Sequence, residues 1–168
     1  TGIHPSFYST TDNSGKIQQS EKTRLVEITG KPVEISRQHY LKISFPETQR
    51  ILINNGILID YSLGYASQIG FRAGICTPFY FYDLEHETQT RLLLVPFQVM
   101  DVTFRQYLEY SPAKATDEIH QLMEEVRKVK GTFVSVWHNE SVSDRHEWKG
   151  WRKVFETMNQ NGFDRANA

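Results

Sequence analysis

The stretch SPAKATDEIHQLMEEVRKVKGTFVSVWH, from Ser111 to His138, decides the fold class. Ser111 followed by Pro112 is a helix cap with a first-turn proline, and Gly131 is a typical helix stop. Between them, apolar residues recur at helical spacing: Ile119, Leu122, Met123, Val126 and Val129. The next segment, Thr132 to Trp137, is β-branched and aromatic, as buried strands are. A helix that leads directly into a buried strand predicts an α/β fold.

The same alternation of helix-like and strand-like segments runs through the rest of the chain. Strands are predicted at residues 32–35, 57–59 and 91–96. Helices are predicted to end at Gly30, to run from Pro46 to Gly56, and to carry the apolar face Trp148, Trp151, Val154, Phe155 and Met158. This alternation favours βα units around a parallel sheet over an antiparallel sandwich. Residues 61–87 are the one long stretch predicted to be irregular.

Composition excludes several classes of function. The 168 residues are expected to form a single domain, residues 1–168, with one core. Nineteen basic and twenty acidic side chains give a charge of -1 without a Lys/Arg stripe, so nucleic acid is not an expected partner. No apolar run reaches the roughly 18 residues of a membrane span. The single cysteine, Cys76, cannot form an internal disulfide.

Ionisable residues follow nearly every predicted strand. In a parallel β/α barrel the carboxyl ends of the strands meet at one mouth, where the active site lies. The residues at these positions are His4, Arg37, His39, Asp60, Arg72, Asp101 and His138. Polar residues after strands also commonly form caps and turns, an interpretation that stays open for Asp60 and Asp101 and is favoured for His39. His4 and His138 lie inside compact motifs, GIHPS at residues 2–6 and VWHN at residues 136–139.

Histidines brought to one mouth could bind a divalent metal. Imidazole nitrogens combined with a carboxylate are the ligand set of catalytic zinc. The histidines are tens of residues apart and form no local metal motif, so a metal site depends on the barrel bringing them together.

The GIHPS motif and Trp137-His138 resemble motifs of the polysaccharide deacetylase family of carbohydrate esterases, most closely its bacterial members. The resemblance spans nearly the whole chain. It implies a parallel β/α barrel of the distorted seven-stranded deacetylase type, of which this chain would lack the N-terminal strands. It also implies a metal-dependent hydrolase, with zinc as the expected metal, that removes N-acetyl groups from a polysaccharide or glycan. The compartment stays open, with the bacterial cytoplasm favoured over export.

The resemblance assigns roles to individual residues. His4 matches the first of two metal-ligating histidines spaced four apart, Tyr8 stands where the second should be, and His39 is the candidate replacement. Arg72 matches the arginine that holds the catalytic-base aspartate in place through a guanidinium–carboxylate pair. His138 matches the general acid that protonates the departing amine.

The sequence departs from the family pattern in ways that leave other functions open. No Asp-Asp pair, the family's first motif, occurs in the sequence. One alternative is therefore a catalytically inactive barrel that binds carbohydrate. Another is a scaffold or homo-oligomerising fragment whose exposed sheet edges are covered by another chain. The aromatic run Phe79 to Tyr82 is either part of a sugar platform or, the favoured interpretation, a buried strand.

Overall fold

The computed structural model describes residues 1–166, and the side chains of residues 1–162. The fold is mixed α/β with a mostly parallel sheet, which confirms the predicted fold class at this level. The chain divides into two compact units. The first comprises Thr1–Gly64 and Thr77–Pro96, and the second comprises Tyr65–Cys76 and the chain from Phe97 onward. Of the helices in the described part of the chain, none is long and apolar enough to cross a membrane.

The first unit is built on a five-stranded sheet. Its strands are β1 (Gly2–Ile3), β2 (Ile35–Ser36), β3 (Ile59–Asp60), β4 (Phe79–Asp83) and β5 (Thr88–Leu94). Their spatial order is β1-β2-β3-β5-β4, with parallel pairing except between β4 and β5, which are antiparallel. The carboxyl ends of β1, β2 and β3 therefore lie at the same edge of the sheet.

Two helices belong to this unit, α1 (Lys16–Thr29) and α2 (Glu47–Asn54). Both were expected from their glycine stops and apolar spacing. Gly15, directly before α1, has a φ of 71°, and a Cβ there would lie 2.7 Å from the Ile51 side chain, so only glycine fits. The core of the unit consists of aliphatic side chains that are at most 1% exposed: Val33, Leu52, Ile57, Leu92 and Leu94.

Strand β4 lies within residues 61–87, the stretch predicted to be irregular, and it confirms the favoured interpretation of the aromatic run as a strand. Its side chains alternate: Phe81 is buried, whereas Tyr80 and Tyr82 are exposed. The aromatic run is thus a strand buried on one face only. Arg50 of α2 fixes the end of this strand by donating two hydrogen bonds to the Asp83 carboxylate, at 2.7 and 2.8 Å. These bonds hold the pKa of Asp83 well below its usual range.

The second unit contains a parallel strand pair, β6 (Val99–Met100) and β7 (Ser135–Val136). Its helices are α3 (Pro112–Lys128) and α4 (Trp151–Ala166), and a π-helical turn, Thr103–Tyr107, follows β6. The predicted cap of α3 is present, because the Ser111 hydroxyl accepts a hydrogen bond from the Lys114 N–H. Trp148 lies in a short separate turn before α4, although its side chain joins the core of this unit.

Candidate active site

His4 and His39 lie together at one edge of the first sheet. His4 directly follows β1 and His39 follows β2, and these two strands are parallel neighbours in the register Ile3 to Ser36. The two imidazole rings stack, with 4.9 Å between their centroids and 17° between their planes. The sequence predicted both residues at strand ends. Parallel pairing brings them into contact although they are 35 positions apart.

The tautomer of His4 is set by the backbone. Its Nδ1 lies 2.7 Å from the carbonyl oxygen of Arg37, which can only accept a hydrogen bond. In the neutral ring Nδ1 therefore carries the proton, and Nε2 carries the lone pair. Metal-ligating histidines are commonly oriented in this way, by a hydrogen bond from the second ring nitrogen to a carbonyl or carboxylate.

This pair suits a divalent metal in its donor chemistry. Two imidazoles are common ligands of zinc and related ions, and the hydrogen bond from His4 fixes one of them in the required tautomer. Among the described residues, no group of three His, Cys, Asp or Glu side chains lies close enough to hold a metal. His4 and His39 thus supply two donors, and the fit is limited to this pair.

The turn that carries His39 is anchored at both ends. Gln38 is buried, and its backbone N–H donates to the Ser62 hydroxyl at 2.8 Å. Leu41 is also buried, and its N–H donates to the Gln38 carbonyl. Tyr40, between these anchors, takes a φ of 53°, and Leu41 itself takes one of 54°. This left-handed conformation costs about 1–2 kcal/mol per residue, which the anchors must offset.

A buried carboxyl group supports this turn from the end of β3. The Asp60 carboxylate accepts hydrogen bonds from the Ser62 N–H at 3.0 Å, the Ser62 hydroxyl at 2.8 Å and the Ser36 hydroxyl at 3.2 Å. Burial raises the pKa of Asp60 to about 6, and these hydrogen bonds oppose the rise. Asp60 therefore acts on His39 indirectly, because Ser62 also holds the backbone of Gln38.

Three exposed aromatic side chains lie close to the histidine pair. The ring centroid of Phe7 is 6.3 Å from that of His39 and 5.9 Å from that of Tyr40. Tyr40 in turn contacts His39 edge to face at 4.7 Å, and Tyr8 contacts Phe7 at 6.2 Å. Tyr8 therefore belongs to an aromatic surface.

In the second unit, His138 is held by a buried carboxylate. Asp101 directly follows β6, and His138 comes two residues after its parallel partner β7. The Asp101 carboxylate accepts from the backbone N–H of His138 at 2.6 Å, and its other oxygen lies 2.7 Å from the ring Nδ1. Ser141 donates its hydroxyl to the same carboxylate. The Asp101 side chain is completely buried, whereas that of His138 is 41% exposed.

This arrangement prepares His138 to transfer a proton. Burial alone would raise the pKa of Asp101, but the hydrogen bonds from His138 and Ser141 outweigh it and leave this pKa below its ordinary value. Asp101 is thus ionised at neutral pH and accepts a hydrogen bond from the Nδ1–H of His138. The proton on Nε2 is then the one that His138 can exchange, and the carboxylate stabilises the imidazolium form.

Arg72 lies in a turn of the second unit. The Gly74 N–H donates to the Phe71 carbonyl at 2.9 Å, and Gly74 takes a φ of 72° to close the turn. The Arg72 side chain is half-buried. Its assignment as the holder of a catalytic carboxylate stays a prediction.

The residues that support the candidate site were predictable only in part. Asp101 and Asp60 stood out because each directly follows a strand, but a capping role was as plausible for either. Ser141 carried no signal, because a serine three residues after a histidine is common in loops. Gln38 also carried none, since its importance comes from burial.

Comparisons with protein-family models, with curated proteins and with solved structures give no significant match for this chain.

Proposed function

We propose that this chain is a metal-dependent hydrolase that removes N-acetyl groups from a polysaccharide or glycan. The observation that carries the proposal is the Asp101–His138 pair, in which a buried carboxylate orients a histidine that is 41% exposed. Hydrolysis of an amide needs a proton donor for the departing amine, and an oriented imidazole performs this task near neutral pH. Consistent with the resemblance, the fold would be a parallel β/α barrel of the seven-stranded deacetylase type.

The proposal assigns metal binding to His4 and His39. A bound divalent ion, with zinc expected, would polarise the amide carbonyl and lower the pKa of a water molecule. The hydrogen bond from His4 Nδ1 to the Arg37 carbonyl supports this role, because it leaves Nε2 as the donor atom. Asp60 and the buried Gln38 keep the turn of His39 in place.

The proposal assigns proton transfer to His138. Water adds to the acetyl carbon, the C–N bond breaks, and the products are acetate and a free amino sugar. The amine is a poor leaving group until it is protonated, and the His138 imidazolium would supply that proton from Nε2. Asp101 would stabilise the imidazolium before the transfer. Arg72 would hold the carboxylate that acts as base. In the family an Asp-Asp motif provides this carboxylate, and the sequence contains no such motif.

A second candidate is a barrel that binds carbohydrate without hydrolysing it. The observation that favours it is Tyr8, an exposed aromatic residue at the position of the family's second metal ligand. Such a protein would bind glycan through aromatic side chains and would need no metal.

Acetate release separates the two candidates. The full chain, supplied with zinc, is incubated with N-acetylchitotetraose, and free acetate is measured enzymatically. The hydrolase should release acetate, and His138→Asn should slow the release by about 10²- to 10⁴-fold, the usual contribution of general acid–base catalysis. His146→Asn is the matched control, because His146 is exposed and takes a φ of 50° that asparagine tolerates. Glycan binding without acetate release would favour the second candidate.

A further inference from the structure

Phe7, Tyr8 and Tyr40 form a continuous surface, which we call the aromatic patch. Phe7 is 49% exposed, and Tyr8 and Tyr40 are each 73% exposed. Phe7 stands between the other two, with its ring 6.2 Å from Tyr8 and 5.9 Å from Tyr40. Large aromatic side chains that are clustered and exposed commonly mark a binding site.

The fold holds the aromatic patch in place although this strains the backbone at Tyr40. Tyr40 takes a left-handed φ of 53°, which side chains other than glycine, asparagine and aspartate seldom adopt. It is held there between Gln38 and Leu41, which are both buried. Phe7 and Tyr8 open a short 3-10 turn, in which the Thr10 and Thr11 hydroxyls donate to their carbonyl oxygens. The rings are thus presented on two braced turns, and strain of this kind clusters at ligand sites.

The chemistry of the patch fits a neutral sugar ring. Its three side chains carry no charged group at neutral pH, and they combine flat apolar faces with two phenolic hydroxyls at their edges. A pyranose has the complementary character, because one face presents C–H groups and the rim presents hydroxyls. A phosphate or an acidic peptide would instead require cations.

We propose that the aromatic patch is a subsite that binds one pyranose ring of the glycan beside His4 and His39. The edge-to-face contact of Tyr40 with His39, at 4.7 Å, and of Phe7 with His39, at 6.3 Å, makes the patch continuous with the histidine pair. This inference rests on the proposed function and deepens it, since it names the residues that position the sugar. Tyr8 would then contact the sugar, at the position where the deacetylase family has its second metal-ligating histidine.

The test measures binding of N-acetylchitotetraose by calorimetry. The full chain carries His138→Asn in these measurements, so that turnover does not consume the ligand. In this background, Tyr8→Ala and Tyr40→Ala should each weaken binding by about tenfold, the loss of one stacking contact. Tyr40→Phe should retain binding, because the ring stays. Tyr80→Ala is the matched control, since Tyr80 is 52% exposed on β4 and lies outside the patch.

A second variant keeps the test independent of folding. Tyr40→Gly relieves the strained φ, so its melting temperature should stay level or rise while its affinity for the tetrasaccharide falls. A stable Tyr40→Gly protein that binds as tightly as the parent would overturn the proposal. Absence of binding in the parent would overturn it too, as would self-association of the chain that Tyr40→Ala abolishes.

Acetate release distinguishes failure of the subsite from failure of the proposed function. If the chain with His138 intact releases no acetate while the patch variants still lose binding, the subsite stands and the hydrolase proposal falls. If acetate is released and Tyr8→Ala and Tyr40→Ala leave both KM and affinity unchanged, the hydrolase stands and the subsite falls.

Discussion

Asp101 and His138 are joined by two hydrogen bonds, one to the backbone N–H at 2.6 Å and one to the ring Nδ1 at 2.7 Å. The first bond fixes where the loop after β7 begins, and the second fixes which ring nitrogen carries the proton. One buried carboxylate thus sets both the position and the tautomer of the proposed acid. The relationship depends on the parallel register of β6 and β7.

Asp101→Asn should therefore impair catalysis more than Ser141→Ala. An asparagine can donate to Nδ1 and favour the wrong tautomer, which in hydrolases with an aspartate–histidine pair costs up to about 10⁴-fold in kcat. Ser141→Ala removes one hydrogen bond to the carboxylate and leaves the tautomer unchanged. The measurement is the pH profile of acetate release for both variants. Equal, small effects at every pH would show that Asp101 has only a structural role.

Asp60 should make the folded state less stable as the pH rises. Its pKa is raised from 3.8 to about 6, so the folded protein binds more protons than the unfolded chain between these values. The loss of stability caused by ionisation of the buried Asp60 is absent well below pH 3.8 and complete well above pH 6. Asp60→Asn removes the ionisable group, so the free energy of unfolding of this variant relative to the parent should grow by about 2 kcal/mol from pH 4 to pH 7. Urea unfolding at several pH values measures this difference.

Asp12 provides a control of opposite sign. Hydrogen bonds from the Ile17 backbone N–H and from Ser14 lower the pKa of Asp12, so its contribution to stability is present above pH 3.8 and is lost as the pH falls below it. Asp12→Asn should consequently lose stability relative to the parent as the pH rises. If the stability of both variants relative to the parent changes with pH in the same direction, the assignment of Asp60 as a buried carboxyl group with a raised pKa is wrong.

Gly131 should not tolerate a side chain. A Cβ at this position would lie 2.2 Å from the Sγ of the buried Cys76, so Gly131→Ala should destabilise the protein by about 1–3 kcal/mol through overpacking. Adding Cys76→Ala removes the sulfur and should recover much of this loss. Gly162→Ala is the control, because a Cβ there makes only an ordinary contact, 3.7 Å from Met123. If the changes in stability caused by Gly131→Ala and Cys76→Ala simply add in the double variant, the close packing of residue 131 against the Cys76 sulfur is contradicted.

Zinc binding should depend on both histidines of the first unit. His4→Ala and His39→Ala should each weaken zinc affinity by about a hundredfold or more, since loss of an outer hydrogen-bond partner alone costs about 10- to 100-fold. His146→Asn should leave the affinity unchanged. Affinity should also fall in acid, because protons compete for the imidazole nitrogens. Calorimetric titration with zinc measures these changes, and equal affinities in all four proteins would remove the pair from the proposed metal site.

Local signals in the sequence predicted much of the secondary structure. Helix α3 follows from the Ser111-Pro112 cap and the apolar spacing up to Gly131, and its bounds match the structure closely. A strand was the favoured interpretation of the aromatic run in β4, but its four aromatic residues show no alternation in the sequence, and packing alone makes Phe81 buried and Tyr80 exposed. Trp148 has the spacing of a helix face but lies in its own turn, which tertiary packing determines.

The candidate site was predictable only in part, because its contacts join distant positions. His4 and His39 were predicted at strand ends, and the pairing of β1 with β2 brings them together. The sequence contains no sign that Tyr40 takes a left-handed conformation, since buried anchors impose it. The partnership of Asp101 with His138 depends on strand register across 37 positions, which local patterns do not encode.

The most direct test of the central claim is acetate release from N-acetylchitotetraose as zinc is titrated into the metal-free full chain. Metal-dependent hydrolysis predicts that the rate rises with zinc occupancy to a plateau, and that His4→Ala shifts the curve to higher zinc concentrations. A metal-free protein that releases acetate at the plateau rate would show that hydrolysis does not depend on a metal. A zinc-loaded protein that binds the tetrasaccharide and releases no acetate would contradict metal-dependent hydrolysis as well.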